Sequence, residues 1–297
     1  MPAPSFRRAL RAAAVALPLL LAPAAARAQR DAARATAGDD SVAARLRAVA
    51  VPVETPRARI WVEPGALSDR QARDFAAQFT VGVDAIERTL GRTLDRARYG
   101  TDRIDVFVAS GLGASHVYGG YAHMRHAKPW LYLDAARVRA GAAPYLHEAT
   151  HLVAWRFGSH SLREGLASWV ESTVSATGEG EHSRLFGVRD VASADRLALA
   201  AVATVDGEAA LRAVGRTGAA DRAITAGPPE ARAAYYVLSQ SFVRHLVERV
   251  GLATTLQLVE SEAPDAYERL TNRSLDAWRA DWLAAIGAGS WPAATDR

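Results

Sequence analysis

"YLHEATHLVAWRFGSHSLREGLASWVES", residues 145–172, decides how this chain is read. Its apolar residues recur at helical spacing on either side of Gly158, which predicts two helices joined by a turn at Gly158–His160. In an α-helix, residues four apart share a face, one turn up. His147 and His151 therefore aim at a common point, and Glu148 projects to one side of it. The second helix can run back against the first. It then carries Glu164 and Glu171 into reach, two turns apart on one face.

Two neutral imidazoles held this way suit Zn²⁺, and a glutamate beside them suits a general base that takes a proton from water at the metal. A catalytic zinc takes a third protein ligand and leaves a fourth position open. His160, Glu164 and Glu171 follow His151 by nine, thirteen and twenty residues. One common zinc pattern wants a histidine six residues on, where Phe157 stands, so His160 is set aside. Geometry alone leaves Glu164 and Glu171 open. Ser161-x-x-Glu164 also fits a capping box, in which the glutamate would bond only to backbone N–H at the helix start. The chain has no cysteine, so any metal must be held by nitrogen and oxygen.

Upstream, "ARIWVEP" (58–64), "RIDVFVAS" (103–110), "HVYGGYAHM" (116–124) and "PWLYLDA" (129–135) read as strands by alternation and β-branched or aromatic content. Between the first two, residues 67–91 form an amphipathic helix with Ser68 as cap and Gly91 as stop. Residues 142–157 form the first helix of the opening stretch, closed by Gly158. "TGEGEHSR" (177–184) is a loop, and the remainder is mostly helical. Ser274, within Asn272-Arg273-Ser274, reads as a helix cap. Strands early and helices late predict an α+β fold. The expectation is a small mixed or antiparallel sheet packed on the zinc-binding helix pair, then a mostly helical C-terminal lobe. The expected boundaries are a signal peptide at 1–28 and a flexible N-terminal segment at 29–57 with at most one short helix. A domain at 58–286 follows, divided into 58–175 and 176–286, and a tail at 287–297.

The formal charge of +4 belongs to the first 28 residues, where Arg7, Arg8, Arg11 and Arg27 stand without an acid. The rest is balanced at 32 basic and 32 acidic side chains, which leaves no phosphate-binding face and argues against nucleic acid as a partner. An uncharged run from Ala12 to Ala26 follows the basic start. Ala26-Arg27-Ala28 then supplies a small-x-small cleavage site, so export to the periplasm or medium is expected, with cleavage after Ala28. The run is too short, and too interrupted by Pro18 and Pro23, to span a bilayer that needs about 20 residues. No later stretch is apolar enough for a span in the mature chain. A single lysine, Lys128, against 35 arginines suggests a bacterial source with a GC-rich genome.

"HEATH … LREGLASWVES" resembles the gluzincin metallopeptidases, especially the bacterial peptidase MA-like group. Those families place the third zinc ligand on a helix reading E-G-(L/F)-A-x-(Y/W). Glu164-Gly165-Leu166-Ala167-Ser168-Trp169 matches that pattern, so the resemblance gives Glu164 the ligand role beside His147 and His151, and Glu148 the role of general base. The thermolysin branch has an aspartate where this chain has Ser168. Its outer carboxylate is thus unassigned, with Glu171 one candidate. "YGGYAH" (118–123) falls where these families have an edge strand that binds extended peptide. "AAYYVLSQSFVRHLVERVG" (233–251) resembles the helix that carries an oxyanion-stabilising tyrosine, with Tyr236 favoured over Tyr235 by its offset from Phe242. The resemblance implies an exported, zinc-dependent peptidase acting on peptide or protein. The alternatives are a zinc hydrolase on a non-peptide amide of the cell wall, and a catalytically silent binding domain of the same fold.

Overall fold

The computed structural model describes residues 33–118, 128–175, 181–216 and 228–287. Its centre is a five-stranded sheet in the order β1-β2-β3-β5-β4, with β1 Val53–Glu54, β2 Ala58–Val62, β3 Ile104–Ala109, β4 His116–Val117 and β5 Trp130–Asp134. β2, β3 and β5 are parallel, while β1 and β4 pair antiparallel at the two edges. The sequence of β3, IDVFVA, is buried at every residue, as a central strand covered on both faces must be. Three strand expectations match β2, β3 and β5. The expected strand at 116–124 begins as β4, and its part from residue 119 onward lies outside the described residues, as does the signal peptide.

The two faces of the sheet are covered by different helices. On one lies α2 (Asp69–Leu90), started by a reciprocal Ser68–Gln71 capping box and stopped by Gly91 at a φ of 61°. On the other lies α1, residues 33–49, which buries Ala43 and Leu46 against Phe107, Tyr118 and Tyr132. Polar contacts fix its angle: Tyr132 donates to the Asp39 carbonyl (2.9 Å), and Arg47 pairs with Asp105 (2.6 Å) over the Trp130 ring. Within the expected flexible segment, residues 33–57 are therefore more ordered than their sequence suggests, with a helix of several turns and β1. Its Ala/Arg-rich composition offers few apolar residues, and the aromatic rings that hold it are far away in the chain.

After the short α3 (Arg96–Tyr99) and α4 (Ala135–Arg139) come α5 (Tyr145–Val153) and α6 (His160–Val174). Three smaller helices follow: α7 (Glu181–Arg184), α8 (Val191–Val202) and α9 (Val205–Ala213). The long α10 (Pro229–Glu260) is broken at Gly251, whose φ of 82° and ψ of 161° are non-helical. α11 (Ala266–Thr271) and α12 (Leu275–Ala285) are the last helices among the described residues, and Ser274 caps α12 by accepting from Ala277 N–H (3.2 Å). The fold is α+β with a mixed sheet and a mostly helical C-terminal region. One continuous buried cluster runs from Ile60 and Val106 through Leu152 and Leu166 to Leu238, Phe242 and Trp282, so residues on either side of position 176 share a core. Each such side chain contributes roughly 1.5–3 kcal/mol by burial. No helix among the described residues is long and apolar enough to cross a membrane.

Two glycines set how closely the helices pack. A Cβ at Gly165 on α6 would lie 2.3 Å from the Ser239 carbonyl oxygen on α10. A Cβ at Gly158 would lie 1.9 Å from the Ser261 carbonyl oxygen, and the Gly158 N–H donates to Val259 (2.7 Å). Gly158 is thus a point of close backbone approach; α5 has already ended at Val153. Gly165→Ala is expected to destabilise by about 1–3 kcal/mol through overpacking, lowering the unfolding midpoint by several degrees. Gly38→Ala on α1, with nothing within 4 Å of the new methyl, should be neutral or slightly stabilising. Calorimetric midpoints of the two variants check this, and equal shifts would refute the packing argument.

Candidate metal centre

α6 is capped by Ser159, whose hydroxyl accepts from Leu162 N–H (3.3 Å). The helix thus starts at His160, and both Ser161 and Glu164 lie inside it. Ser161 accepts from Gly215 N–H instead (2.7 Å), so the capping-box reading of Glu164 fails: the cap is two residues earlier. The Glu164 carboxylate turns to α5. All nine residues of α5 are buried, His147 and His151 included.

His147 Nε2 and His151 Nε2 are 3.1 Å apart. Glu164 Oε2 lies 3.2 Å from the first and 3.4 Å from the second. Tetrahedral zinc with bonds of about 2.0–2.2 Å separates its ligand atoms by roughly 3.3–3.5 Å. The three donors are thus already close to that spacing, in a buried setting where only protons would otherwise hold the nitrogens apart. Two imidazoles and a carboxylate fit zinc, and they also fit other first-row divalent ions.

The outer contacts orient these groups. Ser168 Oγ is 3.4 Å from His147 Nδ1, standing where a carboxylate was sought. His160 Nε2 approaches Glu164 Oε1 at 3.5 Å, and its Nδ1 is 2.8 Å from the Tyr235 hydroxyl. One contact runs against ligation: Arg163 Nε donates to His151 Nδ1 (3.1 Å). A neutral His151 then carries its hydrogen on Nε2, so binding metal through Nε2 requires that contact to be released.

Glu171 accepts from the His182 backbone N–H (3.0 and 3.2 Å), tying α7 to α6. His147, Glu171 and His182 also bring donor atoms close together. However, the His182 ring stacks on His147 at 3.6 Å with planes 22° apart. Planes so nearly parallel do not meet within bonding reach of either nitrogen, so this second group cannot chelate as it stands. His182 is missing from the sequence reading because its "TGEGEHSR" surroundings look like any polar loop.

A cavity of about 490 Å³ opens on the triangle. His116 and Val117 of the edge strand β4 form part of its wall, with His182, Phe186 and Tyr236 elsewhere around it. Tyr236 stacks on Phe186 (4.7 Å) and lines this cavity, whereas Tyr235 is fully buried against His160. Glu148 lines it too, buried and with no hydrogen-bond partner for its carboxylate among the described residues. Burial, with the negative charge of Glu164, pushes Glu148 up to about 7 against the pull of His147. Burial and the Arg163 charge press His151 down to about 3. For Glu164 burial works upward, but His151 and His147 outweigh it and hold the carboxylate well below its usual range.

No protein-family model matches the chain, and comparison with curated proteins finds no similar one. The site therefore rests on its own geometry.

The purified chain is expected to bind about one zinc, and His147→Ala or His151→Ala should abolish it. Glu164→Gln should weaken binding far more than Glu171→Gln, which removes an acceptor for the His182 N–H. Metal analysis after zinc dialysis reads both. Zinc retained in Glu164→Gln and lost in Glu171→Gln would reverse the assignment.

Proposed function

We propose that this chain is a zinc-dependent peptidase, exported by the leader in its first 28 residues. The observation that carries the reading is Glu148. A purely structural metal site has no use for a buried carboxylate without a hydrogen-bond partner. Here one opens on the cavity beside the His147–His151–Glu164 triangle.

His147, His151 and Glu164 would hold the ion. Zinc, when bound, supplies Lewis acidity and eases deprotonation of water near neutral pH. Glu148 takes the proton from the attacking water on its carboxylate and later delivers it to the departing amine. Ser168 and His160 keep His147 and Glu164 in their orientations. Tyr236, half-buried in the cavity wall, offers a phenol O–H to the carbonyl oxygen as charge develops there. The edge strand β4 offers backbone at the cavity wall along which an extended peptide can lie.

Glu148→Gln keeps the shape and removes the proton acceptor. Zinc content and thermal midpoint should stay near wild type, while turnover of a peptide-mixture substrate falls about 10²–10⁴-fold. Equal turnover in the two proteins would place the hydrolysis elsewhere. A zinc-loaded wild type that cuts no peptide would remove the peptidase reading.

A further inference from the structure

We propose, building on the peptidase reading, that the substrate presents a carboxylate to the cavity, received by Arg137, Arg163 and Arg232. These arginines come from α4, α6 and α10 and line the same cavity. No single helical pattern brings them together. The acidic residues in that wall are Glu148 and Glu164, and Glu164 is already engaged by the two histidines.

None of the three arginines forms an ion pair among the described residues. Comparable arginines elsewhere do: Arg57 pairs with Glu87 and Asp84, Arg47 with Asp105, and Arg244 with Asp195 and Glu248. Exposed Arg232 and half-buried Arg137 would be unremarked alone, since water solvates them. Arg163 is different. It is 4% exposed, it touches the His151 ring nitrogen and the Phe157 face, and its Nη1 has no hydrogen-bond partner among the described residues. An unpaired buried guanidinium is costly to the fold, and an anion entering the cavity would offset that cost.

Further out on the wall, Arg232 stands one turn before Tyr236, so its charge shares a helix face with the phenol. The guanidinium fork suits a carboxylate, which accepts two parallel N–H bonds. A neutral peptide would leave these cations unmatched. The carboxylate can be the C-terminus of the peptide or an acidic side chain near the scissile bond.

The experiment uses zinc-loaded full chain and two peptide pairs that each differ by one carboxylate. One pair is a C-terminal acid and its amide, with neutral side chains. The other is an amidated peptide with an internal glutamate or glutamine. Cleavage is measured on wild type, and binding by calorimetry on zinc-loaded Glu148→Gln. The acid member of at least one pair should be preferred about tenfold to a hundredfold. Arg137→Gln and Arg232→Gln should each reduce that preference at least threefold. Preference in the first pair identifies a carboxypeptidase, and in the second an acid-directed endopeptidase. Peptides cut with no preference in either pair overturn this proposal and leave the peptidase reading standing. Acid-selective binding without cleavage does the reverse. No selectivity in binding or cleavage, or a preference unchanged in both arginine variants, overturns the proposal.

Discussion

At Gly165 the backbone of α6 comes so close to that of α10 that no side chain fits between them. The neighbouring residue is Glu164, so this contact also fixes the carboxylate of the candidate metal triangle. With α6 seated against α10, the adjoining face of α6, about 100° round the helix, meets α5 and the two histidines. A shift of α6 by even a methyl's width would spoil the Glu164–histidine separations of 3.2 and 3.4 Å. The apolar core and the polar site are thus two sides of one helix, and the packing on one sets the chemistry on the other.

The polar interior is unevenly satisfied. Glu164 is surrounded by three histidines, Glu171 accepts a backbone N–H through both oxygens, and Tyr235 closes a chain through His160. Such groups are what a stable fold requires of buried polarity. Among the described residues Glu148 and Arg163 depart from it, one an acid without a donor and the other a cation without an acid. Both line the same cavity. Charge of both signs left unpaired among the described residues at one cavity wall is the electrostatic mark of a candidate functional site.

Much of this was legible in the sequence. β2, β3, β5 and α2 follow from β-branched runs and from the Ser68 and Gly91 caps, which are local signals. The convergence of His147 and His151 follows from helical spacing; the turn brings Glu164 and Glu171 equally into reach, and only the resemblance of Glu164-Gly165-Leu166-Ala167-Ser168-Trp169 to a known ligand helix favoured Glu164. What escaped depends on distant partners. α1 is held by rings on β3 and β5, so its own composition undersells it. Gly158 reads as a helix stop because the strand of backbone it meets, at Ser261, lies a hundred residues on. Ser159 rather than Ser161 caps α6, a choice between two serines flanking His160 that no spacing rule decides. His182 and the three cavity arginines are ordinary polar residues until the fold assembles them.

The meeting of Gly158 with Val259 and Ser261 carries a temporal consequence. The link between α5 and α6 is locked by residues near the end of the chain. During synthesis both helices of the site emerge long before the backbone that clamps them. Contacts so far apart in sequence form slowly, because the intervening loop must close first. The histidines and Glu164 therefore spend their early life as separate groups on loosely joined helices. A site whose geometry is clamped only by the last third of the polypeptide is still incomplete while its own ribosome is at work.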